Sequence, residues 1–328
     1  MQKRPKAVAL LSGGLDSILA IKLIQQQGIE VTALSFVTPF FGSKHAQNAA
    51  RQLKVPLIVK DITKELFPLV KNPKFGYGKT MNPCIDCHSL MMKIAGDMMK
   101  KSGFDFIVTG EVLGERPMSQ NRKSLEVVAQ HCGYAKYILR PLSAKLLAPT
   151  EPEMRGLVDR NRLLDIQGRS RKIQIALAKD FGVVGYPNPA GGCLLTDEGF
   201  SRKLKDLLRH RKNPHVRELE LLKIGRHFRL NKNVKLIVGR NEKENQRLRQ
   251  LRLSKDAMLF LENIPGPTAV LLGPKSARTY LKLAAEICAA YSDTKEDEQY
   301  PVVVQDENKR YCFPVKVNRK SRGLYPTI

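Results

Sequence analysis

Two sets of residues in this chain have the types and spacing to do chemistry. The first is Ser12-Gly13-Gly14-Leu15-Asp16-Ser17, directly behind the apolar run Ala7 to Leu11 and ahead of the helical pattern Ile18 to Gln27. A strand that delivers the chain to paired glycines lets the backbone turn tightly and approach an anion with no Cβ in the way. The helix that follows turns its unpaired N–H groups and the positive end of its dipole toward a phosphate. No Gly-Lys-[Ser/Thr] follows, and no lysine lies between Ser12 and Ile21, so this is not a Walker loop and pyrophosphate is the expected occupant. The second set is Asn82-Pro83-Cys84-Ile85-Asp86-Cys87-His88, a C-x-x-C at the start of a helical pattern, which Cys193 joins from a distant Gly/Pro-rich stretch. Helix N-termini lower thiol pKa values, so both sulfurs are expected to be available as thiolates near neutral pH. Such a set reads as a zinc site with His88 and Cys193 as further ligands, as a thioredoxin-like redox pair, or as three thiolates holding a [4Fe-4S] cluster with one iron open to an exogenous sulfur. Cys132, Cys288 and Cys312 lie in patterns typical of small core residues.

These residues need a scaffold, and the first part of the chain alternates strand and helix to make one. Strands are expected at Ala7 to Leu11, Val31 to Phe36, Pro56 to Val59 and Phe106 to Thr109, with helices at Ile18 to Gln27, Lys44 to Leu53 and His88 to Lys101. Such alternation implies an α/β fold, a parallel sheet with right-handed crossovers, whose ligands bind at the carboxyl ends of strands, where Ser12 and Gly110 lie. The segment Thr109 to Gln120 is expected to end a strand and begin a helix. Thr150 with Glu153 forms a capping-box pattern for a short helix through Asp159, a further helix covers Ser170 to Phe181, and Gly182 to Gly192 is turn-laden, carrying Cys193 out of regular structure. Past about residue 200 come a basic helix at Ser201 to Arg211, strands at Val234 to Val238, Met258 to Leu261, Ala269 to Leu272, Val302 to Gln305 and Tyr311 to Val317, and helices at Glu242 to Leu251 and Ala277 to Tyr291. The expected organisation is therefore two domains, 1–200 and a smaller basic α+β domain at 201–328.

With 328 residues and 42% hydrophobic content, the chain can build cores without covalent staples, and six cysteines at these spacings do not suggest a disulfide framework. The apolar stretch before Ser12 is too short for a secretory signal and no later stretch is long enough to span a bilayer, so a cytoplasmic protein with reduced thiols and no membrane partner is expected. The balance of 56 Lys+Arg against 31 Asp+Glu, net +25, favours a polyanionic partner. Residues 201 to 250 hold 16 Lys+Arg against 5 Asp+Glu, which makes Arg202, Lys203, Arg226, Arg229, Arg247 and Arg249 the candidate RNA-binding residues. A merely solvated basic surface is the plainer alternative.

The first loop resembles the PP-loop of ATP pyrophosphatases, whose signature is Ser-Gly-Gly-x-Asp-Ser. The run Thr109-Gly110-Glu111-Val112-Leu113-Gly114 with Ser119-Gln120, followed by Leu139-Arg140-Pro141-Leu142, narrows this to the adenylating domain of tRNA 4-thiouridine synthetases. That resemblance covers about residues 5 to 195. It implies ATP contacts at Ser12, Gly13, Gly14, Leu15, Asp16, Ser17 and Gly110, with Phe36 near the adenine and Asp16 helping to hold Mg²⁺. The Asn-Pro-Cys-x-x-Cys with a later cysteine is instead similar to tRNA 2-thiouridylases and iron-sulfur-dependent tRNA thiolases. In those families the cysteines carry a persulfide or ligate a cluster, and the three thiols at 84, 87 and 193 here favour the cluster. The front of the chain is too short for the RNA-binding module of the 4-thiouridine synthetases, and no rhodanese-like extension is present. The second domain, which resembles the RNA-binding domain of NFACT-type proteins, is expected to replace that module. Together these resemblances imply tRNA uridine thiolation, an ATP-dependent sulfurtransferase whose sulfur comes from inorganic sulfide or a cysteine desulfurase product. An amidating PP-loop ligase, or an RNA-binding protein with a vestigial ATP site, are the alternatives.

Overall fold

Alternating apolar stretches and caps build the first sheet. The strands are β1 (Lys6–Leu10), β2 (Glu30–Val37), β3 (Leu57–Asp61), β4 (Phe106–Val108) and β5 (Ile138–Leu139), all parallel, in the order β3-β2-β1-β4-β5. The helices are α1 (Leu15–Gln25), α2 (Lys44–Leu53), α3 (Thr63–Lys71), α4 (Cys84–Ser102), α5 (Arg122–Cys132), α6 (Glu151–Met154) and α7 (Lys172–Asp180). The computed structural model describes residues 4–187, 192–307, 309–319 and 327–328, and it divides into two compact units, Met1–Asp197 and Glu198–Ile328. In the first unit β1 is central: Ala7, Val8 and Ala9 are fully buried, and α1 is buried nearly all round by Leu15, Ile18, Leu19, Ile21 and Ile24. The chain runs outward from β1 to β3, then crosses back to set β4 on the other side of β1. The strand order reverses between β1 and β4, which is where open parallel sheets form their ligand crevice.

The second unit is a six-stranded antiparallel sheet in the order β11-β10-β8-β9-β7-β6, made of β6 (Arg226–Asn231), β7 (Val234–Val238), β8 (Ala257–Phe260), β9 (Ala269–Leu272), β10 (Gln299–Asp306) and β11 (Lys309–Lys316). Helices α8 (Glu198–His210), α9 (Val216–Leu221), α10 (Glu242–Leu251) and α11 (Leu281–Ala290) accompany it. The apolar α11, with Ala284, Ala285, Ile287 and Cys288, packs on Phe228, Leu236, Leu259 and Val302 to form its core. Phe228 also bridges Thr327, and the Ile328 N–H donates to the His227 carbonyl at 2.9 Å, so the outer edge of β6 is met by residues from far along the chain.

The fold class expected from the sequence, a parallel α/β sheet followed by an α+β sheet, is the one observed. Several details differ. Residues 109–121 are a loop rather than a helix start, because Gly114 adopts a positive φ and α5 begins only where the Asn121 side chain accepts the Ser124 N–H at 2.9 Å. The helix after Thr150 stops at Met154, before the positive φ of Gly156. Cys312 is exposed, because its position in β11 faces away from the core, whereas Cys132 and Cys288 are buried. The stretch Pro189 to Gly191 lies outside the described residues.

Candidate functional site

Gly14 caps α1 in an extended conformation and offers no side chain to the first-turn N–H groups, which leaves them open toward a ligand. The loop is held by its own hydroxyls: Gly14 N–H donates to Ser12 Oγ at 3.2 Å and Ser17 Oγ donates to the Gly14 carbonyl at 2.8 Å. Two glycines are sterically required. Gly13 has φ +82°, and a Cβ there would lie 2.3 Å from the His45 carbonyl carbon at the start of α2. Gly110, just past β4, lies so close to the loop that a Cβ would meet the Ser17 nitrogen at 2.5 Å. Phe36 is buried near the carboxyl end of β2.

Asp16 faces a polar group that the sequence reading did not identify. Arg171, the residue before α7, places a guanidinium nitrogen 3.8 Å from Asp16 Oδ2, while Asp16 Oδ1, Arg171 Nε and both side-chain polar atoms of Gln174 are buried without a hydrogen-bond partner. Burial raises the Asp16 carboxyl above its ordinary range, against the lowering charges of Arg171 and Arg116; Glu115 is likewise raised by burial and by the charge of Asp16. Unsatisfied buried polar atoms are rare in folded chains, and several around one loop mark a place prepared for a polar ligand. A magnesium ion bound through phosphates needs only one or two carboxylates, so Asp16, with its orphaned oxygen, fits that role.

The cysteines are brought to the same end of the sheet. α4 leads into β4 and so runs antiparallel to it, which puts Cys84–His88 at the carboxyl end of the strands. A buried ion network ties them there: His88 Nδ1 is 2.8 Å from Glu111 Oε1, and Arg140 Nε donates to Glu111 Oε2 at 2.9 Å. Burial alone would raise the Glu111 carboxyl, but the Arg140 charge and the His88 hydrogen bond hold it at about 2. Glu111 adjoins Gly110, so contacts run without a break from Asp16 and Ser17 through Gly110, Glu111 and His88 to Cys87. Cys193 is drawn in by tertiary hydrogen bonds: the Leu194 N–H donates to the Phe40 carbonyl at 2.9 Å, and Thr80 Oγ1 donates to the Leu195 carbonyl at 2.6 Å. The Thr80 backbone N–H donates to Asn82 Oδ1 at 3.1 Å, while Asn82 Nδ2 lies 3.1 Å from Cys84 Sγ.

The thiols act on one another electrostatically, and this corrects the thiolate expectation for Cys87. Burial, then the neighbouring Cys193 and Cys84, push the Cys87 thiol far up, and burial pushes Cys193 up to about 11. Asp86 adds its charge to the rise at Cys87, and it is buried and accepts the N–H groups of Lys74 and Phe75. Among the described residues, no three His, Cys, Asp or Glu side chains stand at metal-ligand spacing. As placed, Cys84, Cys87 and Cys193 are therefore not at the spacing of ligands to a single metal ion such as zinc.

In the second unit, most of the expected RNA-binding residues are engaged internally. Lys203 donates to the Leu222 and Gly225 carbonyls, Arg226 lies 4.8 Å over the Tyr291 ring, Arg229 binds Asp206, Arg247 reaches Gln250 and Glu220, and Arg249 pairs with Glu242. Arg202 is exposed.

A Ser-Gly-Gly-x-Asp-Ser loop at the switch point of a five-stranded parallel sheet is a PP-loop-like fold. Residues 3–145 match the family described as Thiamine biosynthesis protein (ThiI), and residues 225–322 match the NFACT protein RNA binding domain. Among curated proteins, the chain is 31% identical over 149 residues to a probable tRNA sulfurtransferase of Thermoanaerobacter sp., covering 42% of this chain and 36% of that one. It is 33% identical over 136 residues to the tRNA-specific 2-thiouridylase of Karelsulcia muelleri, covering 37% and 34%. The chain thus spans about a third of the length of these relatives. Among solved structures, it is similar to a 4-thiouridine synthetase in complex with RNA and ATP, at 20% identity and a TM-score of 0.36 over 55% of this chain and 52% of that one. Among the described residues, no helix is long and apolar enough to cross a membrane.

Proposed function

We infer that this protein thiolates a uridine of tRNA at the expense of ATP. The uracil carbonyl oxygen attacks the α-phosphorus, the bond to pyrophosphate breaks, and the ring carbon is left bearing AMP as a good leaving group. Sulfur then attacks that carbon and AMP departs. The loop from Ser12 to Ser17 and the first turn of α1 stabilise the departing pyrophosphate, with Gly110 allowing the close approach. Arg171 supplies the cation that the loop itself lacks. Asp16 would hold Mg²⁺, which when bound neutralises phosphate charge.

Cys84, Cys87 and Cys193 deliver the sulfur as a persulfide received already at the sulfane level from a cysteine desulfurase product: its outer sulfur displaces AMP at the ring carbon, and a second thiol of the set then attacks the S–S bond, releasing the thiouridine and leaving a disulfide that an external thiol reduces. Inorganic sulfide would serve as donor only where the three thiols hold an iron-sulfur cluster with an open iron. Residues 1–197 are the adenylating domain and 198–328 bind the RNA, in a cytoplasmic setting where the thiols stay reduced. What supports this reading is the unbroken run of contacts from Asp16 to Cys87, which sets an activating pocket beside a group of thiols.

The test is pyrophosphate release with unmodified tRNA, together with mass spectrometry of the product nucleosides. Wild type should release pyrophosphate only with tRNA and form a thiouridine. Cys87→Ala and Cys193→Ala should keep the release and lose the thiouridine. Thiouridine formation undiminished in both cysteine variants, or pyrophosphate release indifferent to tRNA, would overturn it.

A further inference from the structure

The second unit contains a cation-lined cavity of about 450 Å³ that the list of basic residues in the sequence does not reveal. Seven Lys and Arg line it against two Glu. They come from separate stretches: α8 and its end, the β6–β7 hairpin, Lys255, and the turn Gly273-Pro274-Lys275 leading to Arg278. Its inner wall is built. Asp206 accepts Arg229 Nε at 3.1 Å and Lys235 Nζ at 3.1 Å, so one carboxylate fixes two cations and leaves the wall positive. Lys235 is itself only 6% exposed.

Behind them His227 is fully buried. Its Nε2–H donates to the Ile224 carbonyl at 2.8 Å, which leaves Nδ1 as a buried acceptor with no partner. At the rim Lys232, Lys255 and Lys275 are exposed, and none has an acidic partner among the described residues.

We propose that this cavity is an RNA backbone site, taking a phosphodiester and its ribose between the Arg229–Lys235 wall and the rim lysines. The occupant is an anion because the lining carries an excess of fixed positive charge. It is a backbone unit because the exposed cations sit at its rim while Leu207, Leu222, Ile237 and Leu272 line it and, among the described residues, no Phe, Tyr or Trp offers a broad face for a splayed base. The site is built mainly from the segment that matches the RNA binding domain, and the proposal rests on RNA being the partner.

Neutralising a phosphate contact lowers the slope of log affinity against log salt by about one and weakens binding roughly fivefold to tenfold at 0.1 M salt. The experiment titrates the full chain with unmodified tRNA at several salt concentrations. It compares wild type, Lys232→Gln/Lys255→Gln/Lys275→Gln, and a charge-matched control, Lys243→Gln/Lys282→Gln/Lys309→Gln, with circular dichroism to establish that all three are folded. The rim triple should lose about one unit of salt slope, the share of the single phosphodiester in the cavity, and the control should track wild type. Equal losses in both triples would mean diffuse attraction by net charge and would overturn the cavity site. Wild type that binds no tRNA would overturn the RNA reading itself, whereas binding unchanged in the rim triple would overturn only this site.

Discussion

Replacing Glu111 with glutamine removes the carboxylate that joins α4, the loop after β4 and Arg140, and its consequence can be worked from the carboxyl's titration. Held at about 2 rather than its ordinary 4.5, the ionised group contributes on the order of 3 kcal/mol to the native state at neutral pH. Because the folded value is the lower one, this stabilisation is complete above about pH 4.5 and drains away as the pH falls toward 2; at pH 3 less than about half remains. Glutamine keeps the shape but leaves the buried Arg140 without its counter-charge, a change that typically costs about 3–5 kcal/mol. Urea denaturation of wild type and Glu111→Gln, followed by hydrogen-exchange mass spectrometry on peptides spanning residues 84–112, should show a deficit of roughly 3 kcal/mol at pH 7 that shrinks by more than half at pH 3. An equal deficit at both pH values would refute the reasoning, since ion pairing would then not be what holds Glu111.

Three further outcomes follow from the same geometry. Gly13→Ala forces a Cβ against the His45 backbone and should weaken ATP binding by about tenfold or more in equilibrium dialysis; unchanged affinity would place ATP away from this loop. Arg171→Ala should slow tRNA-dependent pyrophosphate release by on the order of a hundredfold, with Arg171→Lys recovering part of it; full activity in the alanine variant would remove Arg171 from the site. Cys193, with its thiol raised to about 11, should react slowly with iodoacetamide at pH 7 and speed up about tenfold per pH unit up to pH 10, and a rate that levels off by about pH 9 would show an ordinary thiol.

The elements that could be read from the sequence are those whose own residues decide them. β7, β9, α2 and α10 lie where apolar periodicity and flanking turn residues put them, and the loop from Ser12 to Ser17 follows its strand as expected. β6 was missed because Arg226, Arg229 and Asn231 dilute its apolar pattern, and a strand at the side of a sheet tolerates such residues. β5 is two residues long and carries no period at all. The candidate site divides the same way. Its glycines and cysteines stand out by type, but the hydrogen bonds from Leu194 and Thr80 that bring Cys193 in span most of the first unit, as does the pairing of Arg171 with Asp16. The thiol titration could not be read locally either, because burial and mutual repulsion arise only once the start of α4 and the distant segment with Cys193 have met.

The meeting of β6 with Thr327 and Ile328 bears on how the protein is made. Everything needed for the five-stranded sheet has left the ribosome once Asp197 is out, so the nucleotide-binding half can fold while synthesis continues. The other half waits: β6 emerges early, yet its outer edge stays open to stray strands until residue 328 has been added. Translation that stalls in between would leave a finished first unit trailing an unfinished sheet.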